Sequence, residues 1–155
     1  MKNDTHLFSD FPQTWSDKST EQTITDLAAR EEIRDLIATY AHRVTHGRSV
    51  ADLFTDDGAY IHRRSRDAEP EVKRGRAELD AHYIDRPDNV GNVTPMIHNL
   101  LLSVNGDEAR GICSIELRIW AGDGVMASGY YEDRFRREDG RWKFVEREVN
   151  FFHWG

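Results

Sequence analysis

A chain of 155 residues is the usual size of one domain and is long enough to bury roughly two-thirds of its unfolded surface without disulfides or a structural metal. Its 28 acidic and 21 basic residues leave a net charge of −7, which disfavours nucleic-acid phosphates and anionic membranes as partners and favours a small organic ligand or another protein. The single cysteine, Cys113, excludes an intramolecular disulfide and any cysteine-based zinc site and suits a reducing cytoplasm, the expected location.

The opening stretch MKNDTHLFSDFPQTWSDKST has no apolar run of signal-peptide length, and no segment approaches the roughly 20 apolar residues that span a bilayer, so no membrane partner is expected. Residues 1–22 are polar with scattered aromatics (Phe8, Phe11, Trp15) and read as an arm ahead of a domain over 23–155. Thr23 and Asp26 have the spacing of a helix-capping box. Apolar residues then recur at Ile33, Leu36, Ile37, Tyr40, Ala41 and Val44, which predicts an amphipathic helix of about 20 residues ended by Gly47. SVADLFTDDGAYIH follows, with a short helical turn, an acidic turn at Asp56, Asp57 and Gly58, and a strand from about Ala59 to Arg63. The charged, proline-bearing RSRDAEPEVKRG predicts a hairpin loop or an exposed edge. RAELDAHYID reads as a short helix after Gly75, and RPDNVGNVTP as the loop that leads into the next strand.

That strand, TPMIHNLLLSV, places one histidine at the head of a leucine run. Strict alternation sends His98, Leu100, Leu102 and Val104 to one face and Ile97, Asn99, Leu101 and Ser103 to the other. NGD at 105–107 is a tight-turn signal, after which Cys113, Ile115, Leu117 and Ile119 share a face opposite Ser114, Glu116 and Arg118. GDG at 122–124 and REDGRW at 137–142 supply two more turns, with strands between and after them. Helices followed by an antiparallel meander predict an α+β architecture, a curved sheet with helices packed on one face.

Five stretches in this order carry a family likeness: IRDLIATYAHRV, ADLFTDDGAY, the RG before a short helix, IHNLLLSVNGDEARG, and GYYEDRFRREDGRWKFVEREV. Together they resemble the SnoaL-like branch of the nuclear transport factor 2 (NTF2)-like superfamily. The resemblance implies a cone-shaped α+β fold in which three helices wrap a bent antiparallel sheet around an apolar pocket. Relatives include polyketide cyclases, scytalone and bile-acid dehydratases, a dehydrochlorinase and ketosteroid isomerases, as well as non-catalytic transport adaptors and dioxygenase small subunits, so fold alone names no reaction.

In the dehydratase-like members a histidine heading a long strand takes a proton, an aspartate near the end of the first helix orients it, and a tyrosine one turn earlier contacts the substrate oxygen. The resemblance gives the first role to His98 and the third to Tyr40. The aspartate is replaced by Thr45, followed by His46. His46 is the candidate stand-in acid or base, and Thr45 can hold a histidine tautomer by hydrogen bonding but cannot stabilise an imidazolium as a carboxylate does. His42 and His46 have a metal-compatible spacing without a third ligand, so no metal is expected. Leu100, Leu102, Ile115, Leu117 and Tyr131 are expected to wall the pocket. Asp133 is expected to pair with Arg147, and Trp142 and Phe144 to be core. Glu116 and Arg118 sit where such proteins pair, which implies a homodimer or homotrimer.

The expected function is a cofactor-free acid–base enzyme (dehydratase, isomerase or cyclase) acting on a small hydrophobic molecule with His98 as base. The competing expectation is a non-catalytic ligand-binding or assembly subunit.

Overall fold

The computed structural model describes residues 17–65, 67–88, 92–119 and 124–154. Residues 1–16 of the expected arm, and most of the turn at 122–124, lie outside them. The elements are α1 (Thr20–Thr45), a 3₁₀ turn (Ala51–Leu53), β1 (Phe54–Arg63), β2 (Glu71–Arg74), α2 (Arg76–His82), β3 (Val93–Asn105), β4 (Glu108–Ile119), β5 (Val125–Glu138) and β6 (Arg141–Trp154).

Helix α1 begins ahead of the position the sequence suggests. Ser19 is its N-cap: Ser19 Oγ accepts from the Gln22 N–H at 3.1 Å and Gln22 Oε1 accepts from the Ser19 N–H at 2.9 Å. This reciprocal box satisfies two donors that helix geometry would otherwise leave unpaired. Asp26 is therefore not a capping residue. It is buried and accepts from Arg30 Nε at 2.9 Å, while Arg30 Nη1 donates to the Leu102 carbonyl at 2.8 Å and ties α1 to β3. The stripe Ile33, Leu36, Ile37 and Tyr40 is buried as the periodicity requires, each large side chain contributing about 1.5–3 kcal/mol of transfer free energy.

Three helices were expected, and two α-helices form among the described residues. The intervening segment makes a single 3₁₀ turn, because Val50, Ala51 and Phe54 are all drawn into the core within five residues, which leaves no length for a second turn. No helix of the described residues is long and apolar enough to cross a membrane.

The six strands run in the order β2-β1-β6-β5-β4-β3. Every pair is antiparallel except β1–β6, so the sheet is mixed rather than purely antiparallel. A parallel pair needs a long connection; here β2, α2 and the strands β3, β4 and β5 supply it. The charged segment after β1 becomes the edge strand β2, as its composition predicts. Asp139 and Gly140, at φ 50° and 75°, make the tight β5–β6 turn with the left-handed conformations that match strand twist.

The strand headed by His98 departs from alternation. Asn99 lies at φ 53°, and the register passes from His98↔Ser114 to Leu101↔Ile112, so three steps on β3 oppose two on β4. This is a β-bulge. After it Leu100 and Leu102 pack inward; before it the inward positions are Pro95 and Ile97. A left-handed backbone is tolerated by asparagine and glycine but strained for a β-branched residue. Asn99→Val is therefore expected to cost about 1–3 kcal/mol in denaturant unfolding and Asn99→Gly close to nothing; equal costs for both would refute the assignment of strain.

Candidate functional site

The concave face of the sheet, with α1 and α2, forms a half-open cavity of about 230 Å³. Tyr40 from α1, Tyr60 from β1, His82 and Tyr83 from the end of α2, Leu117 from β4 and Tyr131 from β5 line it. A second cavity of about 200 Å³ adjoins it, with Tyr60, His82, Leu117 and Phe151 common to both and His62, Glu71 and Lys73 lining only the second. The strand period explains the second group: Tyr60 and His62 are two apart on β1 and lie opposite Lys73 and Glu71 on β2. The main cavity is roofed by a loop fixed to the end of α1. The Arg86 N–H donates to the Gly47 carbonyl at 2.7 Å, and the Ser49 N–H donates to Asp85 Oδ1 at 2.7 Å.

The floor is aromatic and phenolic. Tyr40 and Tyr83 hydroxyls lie 3.1 Å apart with the rings edge-on, and Tyr131 and Phe144 meet the Tyr40 ring at 6.3 and 5.7 Å. Burial pushes the Tyr40, Tyr83 and Tyr131 phenols above their ordinary range, the nearby Arg147 charge acting in the opposite direction on Tyr40 and Tyr131, so all three stay protonated at neutral pH. The Tyr131 hydroxyl also hydrogen-bonds Tyr40; two bonds among three hydroxyls use two of their hydrogens and leave one for a further oxygen. That hydrogen sits in an environment where a hydrogen bond to developing negative charge is strong.

Arg147 lies beneath this floor with no solvent exposure, its Cζ 3.7 Å from the Tyr131 ring centroid and 4.2 Å from that of Tyr40. With the Phe144 ring centroid at 4.7 Å, the guanidinium is thus held among three rings. Its expected partner is present, since Arg147 Nε is 3.8 Å from Asp133 Oδ1, an ion pair too long for a hydrogen bond. The guanidinium nitrogens and both Asp133 oxygens have no hydrogen-bond partner among the described residues. Burial pushes the Asp133 carboxyl up to about 7, against the opposing pull of Arg147.

Two histidines flank Tyr60: His82 stacks on it at 5.2 Å and His62 lies near-parallel at 6.4 Å. Burial lowers the pKa of both. For His82 the charges of Lys73 and Arg86 add to this, while Glu71 opposes it.

The residues expected from the sequence are only partly gathered here. Tyr40, Leu117 and Tyr131 are on the cavity wall. Leu100, Leu102 and Ile115 are in the packed core rather than on the wall. Thr45 Oγ1 donates back to the Ala41 carbonyl at 2.9 Å, and His46 Nδ1 lies 2.8 Å from Asp88 Oδ2 with both side chains about half exposed, so neither reaches the cavity. His98 is the main correction. Its side chain is exposed on the outer face, because the bulge at Asn99 separates it from the leucines it was expected to join. The cavity-lining residues at the head of β3 are Val93 and Pro95, neither of which has a side-chain proton to exchange. His98→Ala is accordingly expected to change stability by less than about 0.5 kcal/mol and to leave cavity binding unaltered, as measured by unfolding and calorimetry. Glu146 and Glu148 lie on the face of β6 opposite Arg147; Glu148 is buried there and accepts from Arg63 Nε at 2.8 Å, and Glu146 is part-buried and accepts from Arg74 Nη2 at 3.1 Å.

Sequence reasoning passed over Tyr60, His62, His82 and Tyr83. The Tyr60–His62 pair was legible as two rings on one face of a strand. His82 and Tyr83 carried no signal of their own, because only the packing of α2 over β1 turns them inward.

Residues 25–148 match the family model of a SnoaL-like domain. Among solved structures, a protein of unknown function from Mycobacterium tuberculosis is similar at 26% identity and TM-score 0.69, covering 83% of this chain and 75% of its own. An NTF2-like protein with a cystatin-like fold from Novosphingobium aromaticivorans is similar at 24% identity and TM-score 0.68, over 86% of this chain and 90% of its own. LinA is similar at 21% identity and TM-score 0.67, over 84% of this chain and 90% of its own. The last two likenesses are of fold. No curated protein matches the chain.

Proposed function

The chain belongs to the SnoaL-like domain family, and on that premise we propose that it binds a small hydrophobic molecule bearing a carbonyl or hydroxyl oxygen and carries out cofactor-free acid–base chemistry on it, of the dehydratase, isomerase or cyclase type. The observation that carries this reading is the Tyr40–Tyr83 hydroxyl pair, 3.1 Å apart and opening into the aromatic-walled cavity. A ligand oxygen placed there accepts a hydrogen bond that strengthens as charge develops on it, which favours the transition state over the ground state. The surrounding rings exclude water and hold the carbon skeleton.

The test is binding of 2-tetralone, a bicyclic ketone, by calorimetry. The Tyr40→Phe, Tyr83→Phe double variant is expected to bind about tenfold more weakly, the value of about one neutral hydrogen bond, with the fold intact by circular dichroism. Equal affinity in the double variant would remove the phenols from the site.

A second reading is favoured by Pro95 and Thr45. The histidine to which the resemblance gives the base's role, His98, lies outside the cavity, where Pro95 faces inward instead, and Thr45 stands in place of the aspartate, which fits a binding module without turnover. Under that reading the phenol substitutions weaken binding and no proton exchange on the ligand is detected.

A further inference from the structure

We propose, resting on the acid–base reading above, that His82 is the catalytic base of this site, taking a proton from the carbon next to the ligand carbonyl. Among the described histidine side chains it is the one that lines the main cavity, and it also borders the second. His62 lines only the second cavity, His46 is engaged by Asp88, and His98 is on the outer face. The His82 ring is fixed on two sides, stacked on Tyr60 and edge-on to Tyr83 at 4.6 Å. Consecutive residues at the end of α2 therefore present a base and a phenol donor to one ligand. Neither ring nitrogen of His82 is hydrogen-bonded to a described residue, so a lone pair is available.

The groups around it poise this lone pair. Lys73 on β2, Arg86 in the roof loop and His62 on β1 disfavour a second positive charge, and Glu71 on β2 favours it. The ring is thus neutral at pH 7 and has a carboxylate at hand when it becomes charged.

The step balances as follows. The C–H bond breaks and its proton passes to a His82 ring nitrogen. The bonding pair forms a C=C bond while the carbonyl π pair moves onto oxygen, which the Tyr40–Tyr83 hydroxyl holds. Return of a proton from His82 to carbon completes exchange or isomerisation. Where the ligand carries a β-hydroxyl, the enolate pair re-forms the carbonyl, expels hydroxide, and the His82 proton completes water.

The experiment follows hydrogen–deuterium exchange at C1 of 2-tetralone in D₂O by proton NMR, with the full chain. The expected result is exchange about 10²-fold above buffer, rising with pH to a plateau with a midpoint below 6.5. This acceleration is expected to be lost in both His82→Gln and His82→Asn and kept in His98→Gln, with the ketone's affinity unchanged throughout. Exchange that persists in both His82 variants overturns the assignment and leaves the acid–base reading standing. Binding without acceleration in the unaltered chain overturns both and selects the binding module, and absence of binding overturns the cavity reading with them.

Discussion

Replacing Arg147 by methionine is expected to cost about 3–5 kcal/mol of unfolding free energy at pH 8, the usual result of stranding one member of a buried ion pair. The residue left behind is Asp133, with no solvent access for its side chain and no hydrogen-bond partner among the described residues. The dependence on pH follows from linkage. An aspartate is ionised above about 3.9 in the unfolded chain, whereas burial pushes folded Asp133 up to about 7. Between those values the native state binds the extra proton, so Asp133's contribution is fully present below the unfolded value and is lost as pH rises toward 7. Removing Arg147 removes the charge that holds the folded value down, so in the variant the loss continues above pH 7. The gap between the two proteins therefore widens from pH 5 to pH 9. Denaturant titrations across that range test this, and a gap that narrows would refute it. The double variant Arg147→Met, Asp133→Leu, which leaves no buried charge, is expected to recover most of the loss.

Gly129→Ala is expected to be the most damaging single methyl addition. A Cβ there would fall inside the envelope of the Asn150 carbonyl oxygen and 2.8 Å from the Phe151 Cα, both backbone atoms of the paired strand. The register shifts between Ser128 and Gly129, and it is the missing side chain that lets β6 approach there. Relief requires parting the β5–β6 ladder, so the cost should exceed about 4 kcal/mol, the range reached by few substitutions. Gly111→Ala is the control. Its Cβ would meet the Phe135 ring at 3.0 Å and a Leu102 methyl at 3.1 Å, side-chain atoms that can turn, and about 1–2 kcal/mol is expected. Thermal unfolding of the two variants distinguishes backbone collision from side-chain crowding; similar melting temperatures would refute the distinction. Tyr131 and Phe151, on the cavity wall, adjoin this crossing, so ligand affinity should fall with Gly129→Ala and not with Gly111→Ala.

What the sequence made legible is what local periodicity encodes. The stripe through Ile33, Leu36, Ile37 and Tyr40 located α1, and Asn105–Gly106 and Asp139–Gly140 located the hairpins. Alternation on β5 placed Ala127, Gly129, Tyr131, Asp133 and Phe135 on one buried face. The misses share a different cause. Thr23 and Asp26 have capping-box spacing, yet Ser19 and Gln22 form the box, because Asp26 is recruited by Arg30 and the core. The parallel β1–β6 pairing joins residues far apart in sequence, which no local pattern records. Half of the candidate site had the same obscurity. Tyr40 and Tyr131 were reachable from helix and strand period, whereas Tyr83 and His82 enter the cavity only when α2 settles over β1.

The bulge at Asn99 makes the identity of the cavity wall a matter of counting. Strand β3 carries one residue more than its partner uses between His98 and Leu101, and the surplus is absorbed at the one position whose backbone turns left-handed. Laid flat over the same residues, the strand would turn His98 inward and Pro95 outward. Excision of Asn99 alone would instead give an unbroken strand with Pro95 still facing the cavity. Whether β3 shows the cavity Pro95 or the His98 imidazole is therefore decided by the bulge that absorbs Asn99, and not by the chemistry of any side chain on the strand.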